Sequence, residues 1–371
     1  MARVESRRGP LHPMLAPVAW CAARAYSLAV GRRNAGFDAG RGILPLEVAG
    51  NRVPVISVGN LTAGGTGKSP MVAWISGELA RAGSRPVIAL RGYRAARDAH
   101  GSVRSDEADE YESTAPEAKV VVGPRRREEL IAVLGSTASE AWRSRAAVIL
   151  DDGFQHRQLA RDLDIVLVDA TRPALDGDLL PLGWLRERAE GIRRADLVIL
   201  TKAHDAIERD RAAAIVARWR GRPHDAACEH RWPSVTLFDP PSDDTVEPHP
   251  QFDCPIDVLT GRAVLSACAL GNPAHFHGMV EGAGMRVVGR AERGDHLPFS
   301  AGELERAALR AGAELVVTSR KDLVKLDRLP RVALAVPDLA IGFRDGESRV
   351  REALLAAAAS RFSVRSAHDS A

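Results

Sequence analysis

The sequence predicts an α/β protein with one parallel-sheet domain, a second, smaller α/β domain and an amphipathic helix near the N-terminus. From residue 53 onward, short apolar runs alternate with helical patterns, as is typical of buried parallel strands. A glycine-rich loop joins the first of these runs to a helical segment. A second, shorter alternation begins after residue 258, so we expect two sheets.

The composition agrees with a folded protein of about two domains. Hydrophobic residues make up 45% and charged residues 27% of the 371 positions, which excludes disordered, collagen-like and coiled-coil classes. The 51 basic and 48 acidic residues leave a formal net charge of +3, so no nucleic-acid partner is expected. The cysteines lie too far apart for zinc or disulfide spacing, which indicates reduced thiols (Cys21, Cys228, Cys254 and Cys268).

The N-terminal segment is apolar and flanked by arginines. Residues 11–30 contain one charged residue, Arg24, and the first 52 residues contain eight arginines against three acidic residues. Pro13, Pro17 and the alanine content disfavour a membrane-spanning helix. On a helix from about residue 16, the apolar face contains Val18, Ala22, Tyr26 and Ala29 or Val30. Two interpretations stay open: a helix lying on an anionic membrane surface, with Arg24, Arg32 and Arg33 at the head groups, or a helix packed on the domain.

The predicted strands define the domain boundaries. We expect an N-terminal helix region over 1–45, a first α/β domain over 46–225, a linker or small two-stranded connection over 226–258, and a C-terminal α/β domain over 259–371. The strands of the first domain are predicted at 53–60, 86–92, 119–123, 146–152, 164–170 and 196–202. Those of the second are predicted at 263–269, 285–290, 314–322 and 332–337, with a helix at about 301–312.

The glycine-rich loop has the context of a phosphate-binding P-loop. It reads GNLTAGGTGKSP between a predicted strand and a predicted helix. Successive backbone N–H groups from Ala63 to Gly67 predict a concavity for phosphate, Lys68 reaches the β- and γ-phosphates, and the Ser69 hydroxyl ligates Mg²⁺. Thr62 stands where the usual P-loop pattern has its first glycine. The predicted nucleotide-binding residues are Thr62, Ala63, Gly64, Gly65, Thr66, Gly67, Lys68 and Ser69.

An acidic pair follows a neighbouring strand. Asp151 and Asp152 end the run AAVILDD, and the carboxyl ends of parallel strands face the nucleotide side of such a sheet. One carboxylate is expected to hold Mg²⁺, and we assign that role to Asp151. The other, Asp152, is expected to orient Lys68 or the acceptor. Asp169 ends a further strand without an accompanying motif, so a structural role is expected there.

On these motifs the chain resembles the tetraacyldisaccharide 4′-kinase family. The resemblance spans residues 41–322 and rests on blocks such as VGNLTAGGTGKSP (58–70), LRGYR (90–94) and ILDDGFQHRQLARDLDIVLVDA (149–170). LLPLGWLRE (179–187), GNPAHF (271–276) and GDHLPF (294–299) continue it. It implies a P-loop kinase that uses ATP and Mg²⁺ to phosphorylate the 4′-hydroxyl of a membrane-embedded acylated disaccharide, a lipid A precursor, giving lipid IVA. The family's enzymes work at the cytoplasmic face of the bacterial inner membrane.

The resemblance also implies site residues. The family's acid-base pair falls on Asp109 and His296, with Asp106 as a second candidate because Asp106–Glu107 forms another DE pair three residues earlier. A carboxylate and an imidazole can accept and share the proton of a sugar hydroxyl. Residues expected to bind the acceptor or position it are Arg91, Tyr93, Gln155, His156 and Arg186.

Two other functions stay open on the sequence. One is a P-loop ATPase or GTPase switch whose output is binding to a partner, and the other is a soluble small-molecule kinase. The RGYR block and a C-terminal domain with a DH motif have no use in a switch. Deleting residues 1–35 should release a membrane-bound enzyme to the soluble fraction, whereas a protein that is soluble with and without them would favour the soluble kinase.

Overall fold

The computed structural model describes residues 16–92, 96–97, 103–104, 106–137, 139–240, 251–294 and 297–360. The chain forms two compact units. The first contains the residues up to Glu229 together with those from Ile341 onward, and the second contains His230–Ala340. Each unit has its own sheet and its own buried apolar clusters.

The helices of the described residues are short except for the first. They span Ala16–Asp38 (α1), Lys68–Arg81 (α2), Asp106–Thr114 (α3), Arg126–Thr137 (α4), Glu140–Arg143 (α5), Ala206–Arg220 (α6), Pro273–Gly282 (α7), Ala301–Ala311 (α8), Arg320–Leu323 (α9) and Glu347–Ala359 (α10). In the same described residues, 3₁₀ helices cover Ala189–Arg194 and Ile256–Leu259.

The strands as far as the first unit boundary are Glu47–Val48 (β1), Asn51–Arg52 (β2), Val55–Gly59 (β3), Arg85–Leu90 (β4), Ala96–Arg97 (β5), Val103–Arg104 (β6), Lys119–Val122 (β7), Ala146–Asp151 (β8), Leu163–Asp169 (β9), Leu197–Thr201 (β10) and Ala226–Arg231 (β11). Those that follow are Ser234–Phe238 (β12), Gln251–Pro255 (β13), Ala263–Cys268 (β14), Arg286–Glu292 (β15), Leu315–Thr318 (β16), Ala333–Pro337 (β17) and Ala340–Asp345 (β18).

The main sheet of the first unit has eight strands in the order β18-β11-β10-β9-β3-β8-β4-β7. The pairs from β11 to β7 are parallel, which confirms the predicted α/β class. Strands β10, β9, β3 and β8, which are neighbours in this sheet, are buried throughout because helices cover both faces. β3 lies between β8 and β9, so the loops that follow these three strands meet at one edge.

The second unit is a six-stranded sheet in the order β13-β12-β17-β16-β14-β15. The strands β14 to β17 pair in parallel, whereas β12 is antiparallel to both of its neighbours. The predicted helix near 301–312 is α8, whose start is fixed by a capping box between Ser300 and Glu303. Residues 320–323, which the sequence places in the run of a strand, form the short helix α9 because the Ser319 side chain caps it.

The unit boundaries differ from the domain boundaries expected from the sequence. Segment 226–258 contains β11 and the antiparallel pair of strands β12 and β13, and residues from Ile341 onward return to the first unit. The returning strand β18 is a partly exposed edge strand, so its sequence carries only a weak apolar run. Its Phe343 packs on the main core beside Val350 and Leu354 of α10.

Helix α1 is apolar on two sides. Ala19, Ala23 and Val30 are buried, whereas Val18 and Leu28 are exposed. The apolar face predicted from the sequence is therefore divided, since Tyr26 and Val30 lie toward the domain and Val18 and Ala22 lie toward solvent. Among the residues that the structure describes, no helix combines the length and hydropathy needed to cross a bilayer.

Candidate active site

The P-loop, residues 60–69, lies between β3 and α2 at the edge of the sheet where the parallel strands end. Gly64 and Gly67 have φ of 111° and 79°, backbone conformations that favour glycine. A Cβ on Gly64 would lie 2.7 Å from Nη2 of Arg172, so a side chain there would require the end of the Arg172 side chain to shift. Gly64 and Gly65 are exposed, so this part of the loop is accessible to a ligand.

The first half of the loop pairs with the segment 184–186. Thr62 forms an antiparallel bridge with Leu185, and the Ala63 N–H donates to the Trp184 carbonyl at 2.7 Å. Thr62 is thus in a strand-like conformation that does not require glycine. The Ala63 N–H is already bonded, which differs from the expectation that it binds phosphate. The amides that the sequence predicts to bind phosphate are therefore reduced to those from Gly64 to Gly67.

Lys68 is the first residue of α2 and lies beside the acidic pair. Its Nζ is 3.5 Å from the Asn60 Oδ1 and 3.5 Å from the Asp152 Oδ1. Both distances exceed the usual range of an N–H···O hydrogen bond, so the ammonium group remains available to a phosphate. The Asn60 Nδ2 donates to the Thr66 Oγ1 at 2.9 Å and thereby links the start of the loop to its second half.

Asp151, the last residue of β8, is buried with one free oxygen. Its Oδ2 accepts a hydrogen bond from the Tyr111 hydroxyl at 3.0 Å, while its Oδ1 is buried without a hydrogen-bond partner among the described residues. Burial raises the pKa of Asp151, and the charge of Lys68 opposes that rise. Ser69 shares a hydrogen bond with the same Tyr111 hydroxyl. The Ser69 hydroxyl and the Asp151 carboxylate are thus linked through the Tyr111 hydroxyl, and hydroxyl and carboxylate oxygens suit Mg²⁺.

Asp152 lies between two cations. Its Oδ2 accepts from Nη1 of Arg186 at 2.5 Å and its Oδ1 faces Lys68. Burial alone would raise the pKa of Asp152, but the charges of Lys68 and Arg186 outweigh burial and lower it. Asp152 also has a φ of 51°, an uncommon conformation for a residue with a side chain. This backbone turns the carboxylate away from the line of β8 and toward Lys68.

Helix α3 contributes Tyr111, which the sequence reasoning missed. Tyr111 is fully buried, and burial together with Asp151 raises its pKa well above the ordinary value, so the hydroxyl stays protonated and can donate. The only sequence signal is its spacing from Ala108 and Ala115, which are also buried. Asp109 is half-buried on the same helix, two residues before Tyr111 and therefore about 160° away around the helix axis.

A group of cations lies next to the acidic pair. Arg126, the first residue of α4, is buried, and its Nη1 donates to the Asp152 carbonyl at 3.4 Å. Burial lowers the pKa of Arg126, while Asp151 and Asp152 oppose the change. The charges of Arg91 and Arg161 also reach this region, because they act on the neighbouring His156. The cationic group suits an anionic ligand, and Arg126 was not identified from the sequence.

Gln155 and His156, which follow the acidic pair in the sequence, have different environments. The Gln155 Nε2 donates to the Asn60 carbonyl at 2.9 Å and to the Glu187 Oε1 at 3.0 Å, so its amide supports the P-loop. His156 is half-buried, and burial together with the charges of Arg126, Arg161 and Arg91 lowers its pKa from 6.5 to about 4. His156 is therefore neutral at physiological pH and can donate or accept a hydrogen bond.

Replacing His156 with glutamine is expected to flatten the acid limb of the stability profile. A lowered folded-state pKa means that the unfolded chain binds the proton more readily, so stability is lost as pH falls from 6.5 toward 4. The H156Q variant lacks this group and should lose less stability over that range, as thermal unfolding measured at several pH values will test. A loss as steep as that of the unaltered protein would contradict the assignment.

A buried carboxylate joins α1 to the site. The Glu187 Oε2 accepts from Nδ2 of Asn34 at 2.9 Å and from Nη2 of Arg194 at 2.8 Å. The Tyr26 hydroxyl donates to the Arg186 carbonyl at 2.7 Å. The segment 184–187 therefore contacts α1 on one side and the P-loop on the other. Glu187 is a further residue that sequence reasoning did not single out.

Several of the predicted residues meet at this edge of the sheet. Lys68, Ser69, Asp151, Asp152 and Arg186 lie together around the P-loop. Arg91 is exposed and contributes its charge to the same region. Tyr93 and His296 lie outside the described residues, so their predicted roles remain predictions, as does that of Asp109.

Comparisons with known proteins agree on one family. The family model for tetraacyldisaccharide-1-P 4′-kinase matches residues 11–359. A tetraacyldisaccharide 4′-kinase of Anaeromyxobacter dehalogenans is 38% identical over 348 residues, which cover 90% of this chain and 86% of that protein. A tetraacyldisaccharide 4′-kinase of Chlorobium luteolum is 34% identical over 364 residues, covering 90% and 96% of the two chains.

A solved structure supports the fold. The crystal structure of LpxK from Aquifex aeolicus in complex with ATP has a TM-score of 0.61 and 24% identity, covering 93% of this chain and 98% of its own. With the family model matching nearly the whole chain, the resemblance read from the sequence motifs is confirmed. The chain belongs to the tetraacyldisaccharide-1-P 4′-kinase family.

Proposed function

We propose that this protein transfers the γ-phosphoryl group of ATP to the 4′-hydroxyl of an acylated disaccharide monophosphate at the edge of the sheet formed by the P-loop and the acidic pair. ATP-dependent 4′-phosphorylation in lipid A biosynthesis is the activity of the family. The observation that carries the proposal is the buried, unpartnered Oδ1 of Asp151, on the carboxylate that the Tyr111 hydroxyl links to Ser69. A buried carboxylate oxygen of this kind has a clear use when a cation and a nucleotide are bound.

The P-loop provides the phosphate site. The amides from Gly64 onward and the N-terminus of α2 attract the phosphates, and Lys68 binds the β- and γ-oxygens. Ser69 and Asp151 would hold Mg²⁺, which neutralises phosphate charge when bound. Asp152 keeps the Lys68 ammonium directed across the loop, and Arg186 in turn holds Asp152. These residues mainly position the nucleotide and stabilise developing charge.

Helix α3 carries the candidate proton acceptor. We assign this role to Asp109, with His296 as its partner, and keep Asp106 as the alternative. α3 packs against β7, the strand that it precedes, so its N-terminus lies near the edge where the strands end. The Glu107 carboxylate acts on the pKa of Arg126, which supports the closeness of the first turn of α3 to the site.

Replacing each aspartate separately distinguishes the two acceptors. If Asp109 is the base, Asp109→Asn should lower kcat by about 10²-fold or more while Asp106→Asn has a small effect. The measurement is transfer from ATP to the disaccharide under saturating conditions. The reverse result would move the role to Asp106, and equally small effects would contradict the assignment of a base to α3.

The acceptor's polar groups would be bound by side chains near the acidic pair and the P-loop. Arg91 and Arg186 offer guanidinium groups for phosphate or sugar oxygens, Tyr93 offers a stacking face, and neutral His156 offers a hydrogen bond. Gln155 positions this region through its bonds to Asn60 and Glu187 instead of through a free amide.

We also propose that the outer face of α1 contacts the cytoplasmic surface of the bacterial inner membrane. Val18, Trp20 and Leu28 are exposed on α1 although its opposite side is buried against the first unit. Arg24, Arg32 and Arg33 are exposed on the same helix and suit anionic lipid head groups. The helix would lie in the plane of the interface, where the lipid acceptor resides.

Replacing Leu28 with aspartate is expected to weaken binding to vesicles that contain anionic lipid. Leu28 is 63% exposed, so the change should leave the fold intact while placing a charge against the acyl region. Ile207→Asp is the matched control, because Ile207 is 80% exposed on α6, another helix of the same unit. Equal sedimentation of both variants with the vesicles would contradict the proposed surface.

The direct test of the activity is phosphate transfer in detergent. The protein, ATP and Mg²⁺ are incubated with the acylated disaccharide monophosphate, and the phosphorylated lipid is separated from hydrolysed phosphate. We expect a product that carries a second phosphate. Nucleotide hydrolysis without any lipid product would instead indicate a P-loop ATPase.

A further inference from the structure

The end of β10 supports the P-loop from behind. The Thr201 hydroxyl donates to the Thr66 carbonyl at 2.8 Å, and the Lys202 Nζ donates to the Gly65 carbonyl at 2.7 Å. Thr201 and Lys202 thus hold two consecutive carbonyl groups of the loop. Both are buried, Thr201 is the last residue of β10 and Lys202 follows it directly, so the main sheet supports the loop through these two side chains.

Holding these carbonyl groups fixes the direction of the amides that follow them. A trans peptide is planar, so the N–H of a residue points opposite to the carbonyl of the residue before it. The carbonyl of Gly65 points to Lys202, and therefore the Thr66 N–H points away from β10. The carbonyl of Thr66 points to Thr201, and therefore the Gly67 N–H also points away from β10. The left-handed conformation of Gly67 is the kind that brings neighbouring amides together in an anion-binding nest.

Lys202 is held in place by an ion pair. Its Nζ is 2.5 Å from Oδ2 of Asp169, and the two side chains are 5% and 4% exposed. Asp169 is fixed in turn because its Oδ1 accepts from the backbone N–H and the hydroxyl of Thr171. A compact ammonium group can bond to a carboxylate and a carbonyl in different directions, which the planar fork of arginine does poorly. Such a requirement explains a lysine at this position in a chain with only five lysines among 51 basic residues.

We propose that Thr201 and Lys202 are positioning residues for the nucleotide: they hold the Gly65 and Thr66 carbonyls so that the Thr66 and Gly67 amides face the phosphates. This inference rests on the proposed function, since it takes ATP as the ligand of the P-loop. Neither side chain touches the ligand, and both act through the backbone of the loop.

The test is ATP binding by the full chain without lipid. Thr201→Val keeps the shape of the side chain but removes its donor, and we expect it to raise the Kd for ATP by about tenfold, the effect of one lost hydrogen bond. Thr201→Ser retains the hydroxyl and should restore binding to within about twofold. In transfer assays the KM for ATP should rise while the KM for the lipid stays constant. An unchanged Kd in the folded Thr201→Val variant would overturn the proposal.

A matched control separates positioning from general damage to a strand end. Thr318 is a buried threonine at the end of β16 in the second unit, and its hydroxyl has no hydrogen-bond partner among the described residues. Thr318→Val should leave the Kd for ATP unchanged. An equal loss of ATP affinity in both valine variants would count against a specific role for Thr201.

A second variant keeps the proposal testable if Thr201→Val does not fold. In the double variant, Lys202→Met and Asp169→Asn are made in the same protein. Both buried charges are then removed together, so neither is left unpaired. We expect weaker ATP binding from this pair as well, and unchanged binding would overturn the role of Lys202. Failure of the unaltered protein to bind ATP would instead refute the proposed function, so the two failures are distinguishable.

Discussion

Replacing Lys68 with methionine is expected to lower kcat/KM for transfer to the lipid by about 10³-fold, equivalent to about 4 kcal/mol of transition-state stabilisation. Methionine keeps most of the length of the side chain but removes the charge that opposes the developing negative charge on the phosphates. Because Lys68 is only loosely bonded to Asn60 and Asp152, at 3.5 Å from each, the fold should tolerate the change. The measurement is initial-rate transfer with both substrates varied.

Lys325→Met provides the control for this variant. Lys325 is a half-buried lysine of the second unit, outside the P-loop, so its replacement should leave transfer within about twofold of the unaltered protein. Transfer by Lys68→Met at the rate of the control would refute the assignment of the P-loop as the phosphate site.

Replacing Asp151 with asparagine is expected to have opposite effects on activity and on stability. Transfer should fall by about 10²-fold or more, since asparagine is a poor ligand for Mg²⁺ in place of a carboxylate. The ligand-free protein should become more stable at neutral pH, because the raised pKa of Asp151 shows that burial disfavours its charge. Because the folded-state pKa of Asp151 is raised, protonated Asp151 contributes stability below pH 3.8, which is its ordinary pKa. This contribution is lost as the pH rises through the folded-state pKa.

Thermal unfolding without nucleotide and transfer assays check both effects. The asparagine side chain can still accept from the Tyr111 hydroxyl, so the packing of α3 should be preserved. We expect a higher Tm together with a lower kcat. A lower Tm would show that the Asp151 charge stabilises the fold, and an unaltered kcat would remove Asp151 from the metal site.

The main sheet and the positions of the P-loop and the acidic pair were predictable because their signals are local. A strand, a glycine-rich loop and a helix follow one another in the sequence, and the acidic pair directly ends a strand. The topology of a parallel sheet then brings these segments to one edge without further information. Placing Lys68 near Asp152 therefore required only the order of the elements.

Other parts of the site depend on contacts that no motif records. Tyr111 reaches Asp151 from a helix 40 residues earlier, and Lys202 reaches Gly65 from 137 residues later. The buried residue Glu187 gathers partners from three separate elements. Such side chains look like ordinary polar residues in the sequence, because what distinguishes them is burial. The return of β18 to the first sheet has the same origin, since an edge strand needs only a short apolar run.

The short segment 184–187 has a consequence for how the enzyme searches for its acceptor. It bonds to α1 through Tyr26 and Asn34, and to the P-loop through Ala63. With α1 lying on a bilayer, as we propose, the phosphate site moves with the helix at a constant height above the lipid. Diffusion then becomes two-dimensional, and the encounter rate depends on the surface density of the acceptor in the leaflet instead of its bulk concentration.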